Sequence, residues 1–559
     1  MMLLLMGSWW LLHTLYQPQL LPRAVLASVL VLGMLALWWL QPQDDGPWLL
    51  LVLPPLLALW LVLTPQLLGS WVLDDAFISF RYAHQWLQGH GLVFNPGDRV
   101  EGYTNFLWVL FSALVLAAGA DPVLVSQLTT LVLAFALLGL TVLIASRLVS
   151  ASWAWAAAVL LAMSSSFLLY TSRGSGMETA LFTALLLTSV LFLLQQRWLL
   201  AGGFTAITLL TRPDAALLAL AGGAYALMQG QAQRPYGSGL STETYWNAAL
   251  RYTGACLLLY GPYFAWRWSY YGELLPNTFY AKVGSSTAQV ARGWHYLLTA
   301  GGTDVLLFSG WLALLLGSVL WWRAAAQPRW ADMALIGGLI GLFSLYTIAV
   351  GGDWMPGFRF GLPILPLLAI TTVWALAGAA QSWQQLTQPG SWLWHSGLLA
   401  TVLVTAGMML LLVVRLESTS SYQPDSAVLY ERSLVARYRE AGSWIDEHTA
   451  PDTVIVAAAV GALAYYADRH TIDLLGLNDA HIAHQPANTL GQGKAGHEKT
   501  DVDYVLAQRP HIIPRFAVPY VWDHPDFRAN YRLEKVRGAD GWTIKLYVRR
   551  DLAPLDEGI

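Results

Sequence analysis

The chain has 559 residues, 56% of them hydrophobic and only 12% charged, with 28 tryptophans. Ordinary soluble domains are roughly a quarter charged, so this composition excludes a soluble globular protein and marks an integral membrane protein. A net charge of −3 gives no basis for a nucleic-acid partner. One cysteine, Cys256, excludes an intrachain disulfide and a cysteine metal cage.

Crossing the hydrocarbon core takes about 20 apolar residues. The apolar start, residues 1–16, lacks the basic flank and cleavage site of a signal peptide and reads as a short membrane segment or as dispensable upstream sequence. Further spans are predicted near 24–41, 48–69, 122–146, 152–170, 179–196, 251–268, 303–321, 332–350, 361–380 and 395–414. Two shorter segments, 198–210 and 215–229, meet at Arg212-Pro213-Asp214, the pattern of paired short helices separated by a proline break. Residues 106–119 are too few to cross comfortably and read as an interfacial or re-entrant helix.

Between the second and third of these longer spans, Asp74 and Asp75 open an amphipathic helix. Phe77, Phe80, Ala83 and Leu87 fall on one face, with Arg81, His84, Gln85 and Gln88 on another. That pattern suits a helix lying in the headgroup layer with its acids at the water boundary. A turn at Asn95-Pro96-Gly97 and a polar, aromatic patch from Glu101 to Asn105 follow. Acids beside lipid are expensive and point to function, although the same pair would serve as stabilising helix N-terminal acids.

Basic residues in short loops orient the chain. Arg147, Arg197, Arg234 with Arg251, and Arg323 with Arg329 fall on one side, taken as cytoplasmic. The segments 70–121, 171–178, 269–302, 351–360 and everything after 415 then lie outside. After 415 the composition changes. Residues 424–447 read as a charged helix, and strand-like runs begin at 453, 470, 504, 531 and 542. The expected division is a transmembrane catalytic domain over 1–415, with interfacial helices near 75–119, and a soluble α/β domain over 416–559.

Several polar motifs share the outer side. They are Asp74-Asp75, Arg173 to Thr179, Tyr270 to Gly284, Gly351 to Arg359, Asp473 to Asp479 and Gly496 to Lys499. Carboxylates and cations together suit an enzyme acting on a lipid-linked phosphate: a carboxylate takes the proton of an incoming hydroxyl, and a cation stabilises the charge left on phosphate. Structural roles compete at each motif. Glu178 could simply be a helix N-terminal acid, Asp353 and Arg359 an ion pair between helix ends, and His497-Glu498-Lys499 a solvated run. His481 and His484 have helical ligand spacing but no third partner nearby, so no metal site is assigned.

The string DDAFISFRYAHQWLQGHGLVFNPGDRVEGYTNFLW resembles the first outer loop of bacterial GT-C glycosyltransferases, in particular the mycobacterial terminal β-1,2-arabinofuranosyltransferases and pilin-modifying relatives. GMETALFTALL, TRPDAALL, PNTFYAKVG, GGDWMPGFRFGLPILP, GLND and GHEK follow in the order of that group. The resemblance covers nearly the whole chain from about residue 48. At Pro356 the cell-wall enzymes carry histidine, a difference that bears on the acceptor.

The resemblance implies a polytopic α-helical membrane protein of GT-C type, with about 11–13 transmembrane helices and a C-terminal soluble α/β domain. It also implies residence in a bacterial inner membrane, with the active site and C-terminal domain on the periplasmic side. The donor would be a polyprenyl-phosphate sugar, most naturally polyprenyl-phosphate arabinofuranose. The acceptor would be a glycan or glycoprotein, such as an arabinan or pilin. No cofactor is implied beyond that lipid-linked donor, and a divalent metal is compatible but not indicated. The catalytic carboxylate falls on Asp74 or Asp75, assisted by Glu178. Arg173, Lys282 and Arg359 are candidates for the phosphate, and Tyr103 and Asn105 for the sugar pocket. Asn277, Tyr280 and Asp353 accompany them, and His497, Glu498 and Lys499 would shape the acceptor side. A GT-C enzyme using another polyprenyl-phosphate hexose, or a flippase of lipid-linked sugars, is the competing expectation.

Overall fold

A computed structural model describes residues 48–232, 242–284, 286–303, 310–316, 330–386, 424–487, 490–518 and 521–555. The segments predicted at 1–16, 24–41 and 395–414, part of 303–321, and the boundary near 415 lie outside them.

The first part is helical because its apolar runs are long and punctuated by caps and prolines. It contains α1 (Trp48–Leu68), α2 (Asp74–Leu87), α3 (Phe106–Ala117), α4 (Pro122–Ala145), α5 (Ala151–Met163), α6 (Ser165–Tyr170) and α7 (Thr179–Leu194). There follow α8 (Trp198–Thr211), α9 (Ala216–Ala232), α10 (Thr242–Tyr271), α11 (Asn277–Lys282), α12 (Thr287–Thr303), α13 (Trp330–Ala349) and α14 (Leu365–Leu386). Asp121 caps α4 by accepting the Val123 N–H at 2.9 Å, with Pro122 in the first turn, where its missing N–H costs nothing. The run 152–170 is broken rather than continuous: Ser164 is extended and its hydroxyl caps α6 at Phe167. The proline break at 213 is a single 3-10 turn, Pro213–Ala215. Two described helices, α4 and α13, are long and apolar enough to cross a bilayer by length and composition.

The last part is an α/β unit. It comprises α15 (Pro424–His448), β1 (Val454–Ala457), α16 (Gly461–Ala467), β2 (His470–Asp473), α17 (Ala480–His484), α18 (Val502–Ala507), β3 (Ile512–Pro514), α19 (Pro525–Asn530), β4 (Tyr531–Arg537) and β5 (Thr543–Arg549). The sheet order is β2-β1-β3-β5-β4, parallel through the first three strands and antiparallel after them. The run from 504 is thus helix first and strand second, since Asp501 caps the Tyr504 N–H at 2.9 Å and starts a helix there.

The two parts share one apolar core. Helix α2 is the hinge pin of that union, and it differs from the amphipathic reading. Phe77 and Phe80 are buried against Tyr465 of α16, and the polar face is covered as well. Arg81 is 1% exposed, donating to the backbone oxygens of Phe94 at 2.8 Å, Arg469 at 2.8 Å and Ala464. Gln85 donates to Asp468 at 3.0 Å. Protein covers both faces over most of the helix, leaving Leu87 and Gln88 exposed at its end, because the C-terminal unit supplies carbonyls that the local sequence does not reveal.

Candidate active site

The N-terminus of α2 separates its two acids. Asp74 turns toward the C-terminal unit, where its carboxylate accepts the N–H groups of Gly461 and Ala462, each at 2.8 Å. It thereby satisfies the first orphan donors of α16. Burial pushes this carboxyl up to about 7, the two N–H donors opposing that rise. A Cβ on Gly461 would collide with the Asp74 carbonyl oxygen, so only glycine admits this approach. Asp75, half-buried, turns the other way and lines a cavity of about 220 Å³.

Both signs of charge line that cavity. At the α8–α9 break, Arg212 reaches Glu178 at 3.2 Å and Asp214 at 2.9 Å. Asn105 donates to the second Glu178 oxygen at 2.9 Å and accepts from Ser79 at 3.1 Å. Near them, the loop after α13 turns at Gly351 and Gly352, both at positive φ, and brings Asp353 to Arg359 at 2.8 Å. The ring of Phe360 lies under both guanidiniums, at 5.6 Å from Arg212 and 5.3 Å from Arg359. Tyr103, Lys282, Trp354 and, from the C-terminal unit, Leu477, Ala495 and Gly496 complete the wall.

Of the residues singled out in the sequence, Asp75, Tyr103, Asn105, Glu178, Lys282, Asp353 and Arg359 meet at this one cavity. The others do not line it. Arg173 donates to the Gly69 carbonyl at 3.0 Å. Asn277 donates to the carbonyls of Gly476 at 2.8 Å and Leu477 at 3.0 Å. Tyr280 stacks on His484 at 4.4 Å, and Lys499 donates to the Tyr280 and Ala483 carbonyls at 2.9 and 2.6 Å. Glu498 pairs with Arg292 at 2.8 Å and accepts the N–H groups of Gly491 and Gly493. His497 packs edge-on to Trp354 at 5.1 Å, and burial lowers its imidazole to about 4. Arg173 braces the segment before α2, and the rest fasten the C-terminal unit over the cavity rather than form its lining.

Arg212, Asp214, Arg292 and Ser79 line the cavity without having been assigned to it from sequence. The signal for Arg212 and Asp214 was present, since ionisable residues in an apolar hairpin are functional candidates by default. Among the described residues, no group of three or more His, Cys, Asp or Glu side chains is arranged to hold a metal ion.

Known proteins place these features in context. Residues 426–547 match a family described as a domain of unknown function, DUF8728. The terminal β-(1→2)-arabinofuranosyltransferase of Corynebacterium glutamicum is 27% identical over 388 residues, 58% of this chain and 52% of that enzyme. The chain therefore spans about half the length of this curated relative. ArnT from Cupriavidus metallidurans, in a crystal structure bound to undecaprenyl phosphate, superposes with a TM-score of 0.54 at 14% identity, over 90% of this chain and 99% of that one. The Archaeoglobus fulgidus oligosaccharyltransferase in its apo form gives 0.56 at 11% identity, over 92% and 76%. The chain shares its fold with ArnT and the Archaeoglobus oligosaccharyltransferase, and over 58% of its length it resembles in sequence a terminal arabinofuranosyltransferase.

Proposed function

We propose that this chain is a glycosyltransferase that moves D-arabinofuranose from a polyprenyl monophosphate to a hydroxyl of a glycan or glycoprotein at the outer face of a bacterial inner membrane. The observation that carries the reading is Asp75, an acid at the edge of a cavity whose walls hold buried arginines and a lysine. The relatives add weight. One is named an arabinofuranosyltransferase, ArnT was crystallised with undecaprenyl phosphate, and the Archaeoglobus oligosaccharyltransferase AglB was solved with a dolichol-phosphate and an inhibitory peptide.

In this reading Asp75 accepts the proton of the acceptor hydroxyl as its oxygen attacks the anomeric carbon. The bond from that carbon to the phosphate oxygen breaks, and the carrier leaves as a phosphate monoester. Cations facing the cavity, Lys282 and Arg359, stabilise the charge that develops there. Glu178, fixed by Arg212 and Asn105, together with Tyr103, shapes the sugar pocket. The 1–415 part supplies the chemistry, and the 416–559 part covers it on the periplasmic side.

The test is the purified protein in detergent with polyprenyl-phosphate arabinose and an arabinan acceptor, alongside a panel of polyprenyl-phosphate hexoses. Release of free polyprenyl phosphate from the arabinose donor, lost in Asp75→Asn, is the expected result. Turnover of a hexose donor instead would replace the sugar, and no release from any donor would favour a flippase.

A further inference from the structure

Four of the basic side chains around the cavity differ in what they already hold. Arg212 is engaged by Glu178 and Asp214, and Arg359 by Asp353. Arg292 serves Glu498 and the carbonyls of Gly351 and Gly493. Lys282 differs: among the described residues its ammonium makes no hydrogen bond or ion pair, and it faces the cavity. Its stem lies against Gly496, where a Cβ would come within 3.1–3.3 Å of the Lys282 Cε, Cδ and Cγ.

A second ammonium, beside the lining rather than in it, comes from the C-terminal unit. Lys494, exposed, sits 3.7 Å from the centre of the Trp354 ring, and Trp354 lines the cavity. Its ammonium makes no hydrogen bond or ion pair with another described residue. The next two residues, Ala495 and Gly496, are themselves cavity wall. The charges of Lys494 and Lys282 both act on His497, and Lys494 itself feels Glu431 most, then Asp75 and Asp353. Its loop is held in place from below: Arg292 and the N–H groups of Gly491 and Gly493 converge on Glu498, and Ser286 donates to the Leu490 carbonyl at 2.6 Å.

We infer that Lys282 and Lys494 form a two-ammonium seat for the phosphate monoester of the lipid carrier, with Lys494 delivered by the C-terminal unit on the face of Trp354. The inference rests on the carrier-dependent reading above and goes beyond it by naming which cations receive the anion. The arginines are each charge-paired with a carboxylate and set the electrostatic background, whereas neither ammonium is so paired among the described residues. A phosphate entering between them gains charge-assisted hydrogen bonds from both sides. The seat exists only when the C-terminal unit is docked.

The experiment uses the full chain in detergent, titrated with farnesyl phosphate, farnesol and inorganic phosphate, and read by tryptophan fluorescence and by calorimetry. Wild type should bind farnesyl phosphate more tightly than farnesol. Lys494→Met should weaken farnesyl phosphate by about tenfold or more, leave farnesol unchanged, and be partly rescued by Lys494→Arg. Lys282→Met should behave alike, and the melting temperature should stay near wild type for the exposed Lys494 variants. Measurable inorganic phosphate binding, lost in the same variants, would place recognition in the headgroup alone. If Lys494→Met binds farnesyl phosphate as wild type does, the seat is wrong while the carrier reading stands. If wild type itself does not distinguish farnesyl phosphate from farnesol, the carrier reading fails and takes the seat with it.

Discussion

Asp74 and Asp75 are neighbours in the chain and face different halves of the molecule: one carboxylate holds two N–H groups of α16, and the other opens onto the cavity. Their substitutions should therefore separate. Asp75→Asn is expected to fold as wild type and lose transfer by about a hundredfold or more, the usual worth of a general base. Asp74→Asn leaves one N–H of α16 opposite a donor, so it should cost about 1–3 kcal/mol of stability with a smaller loss of turnover. Thermal melts beside transfer assays on both variants decide it; equal effects on both properties would overturn the division.

Gly461→Ala tests the same joint from the other side. A methyl group there meets the Asp74 carbonyl oxygen, and the backbone must move to admit it. Overpacking of this kind costs about 1–3 kcal/mol. The expected readout is faster release of the C-terminal unit by limited proteolysis, with secondary structure unchanged.

Arg212 is buried with two carboxylates. Arg212→Met strands both and should destabilise by about 3–5 kcal/mol. Arg212→Lys keeps the charge but loses the planar fork that reaches Glu178 and Asp214 together, so it should melt between wild type and the methionine variant. A Glu178→Gln change in the methionine background should recover part of the loss, measurable as coupling in a double-mutant cycle.

Stability should fall as pH rises from about 4 to about 8. Burial raises Asp74 to about 7, Asp473 to about 6 and Glu431 of α15 to about 8, so the native chain holds protons that the unfolded chain has released. Each such contribution is intact below the unfolded value and lost through the folded one. Glu431 also has one buried carboxyl oxygen without a hydrogen-bond partner among the described residues. Glu431→Gln should flatten the upper part of the melting curve against pH; an unchanged slope between pH 6 and 8.5 would remove Glu431 from the account.

Much of the fold was legible because apolar length and helix punctuation are local properties. The α8–α9 break was visible at Arg212-Pro213-Asp214, and the strands β4 and β5 in their alternation. Part of the site was legible too, since Asp75, Asn105, Glu178 and Lys282 are polar residues that a lipid-facing chain has little other reason to place there. What the sequence could not reveal is direction. Consecutive helical residues point about 100° apart, and only the position of Gly461 shows which aspartate faces the cavity. Asn277 and Lys499 looked like ligand groups; their partners are backbone carbonyls 199 and 219 residues away along the chain. The polar face of α2 misled for the same reason.

The roof of the chamber comes from a part of the polypeptide made after the helices beneath it. Leu477, Ala495 and Gly496 close the walls, and they are translated only after every described membrane-length helix has emerged. A nascent chain stalled before them would sit in the bilayer with an open trough and no enclosed chamber. Under the transfer proposed above, such an immature copy would lack the wall that shields the reacting carrier from water.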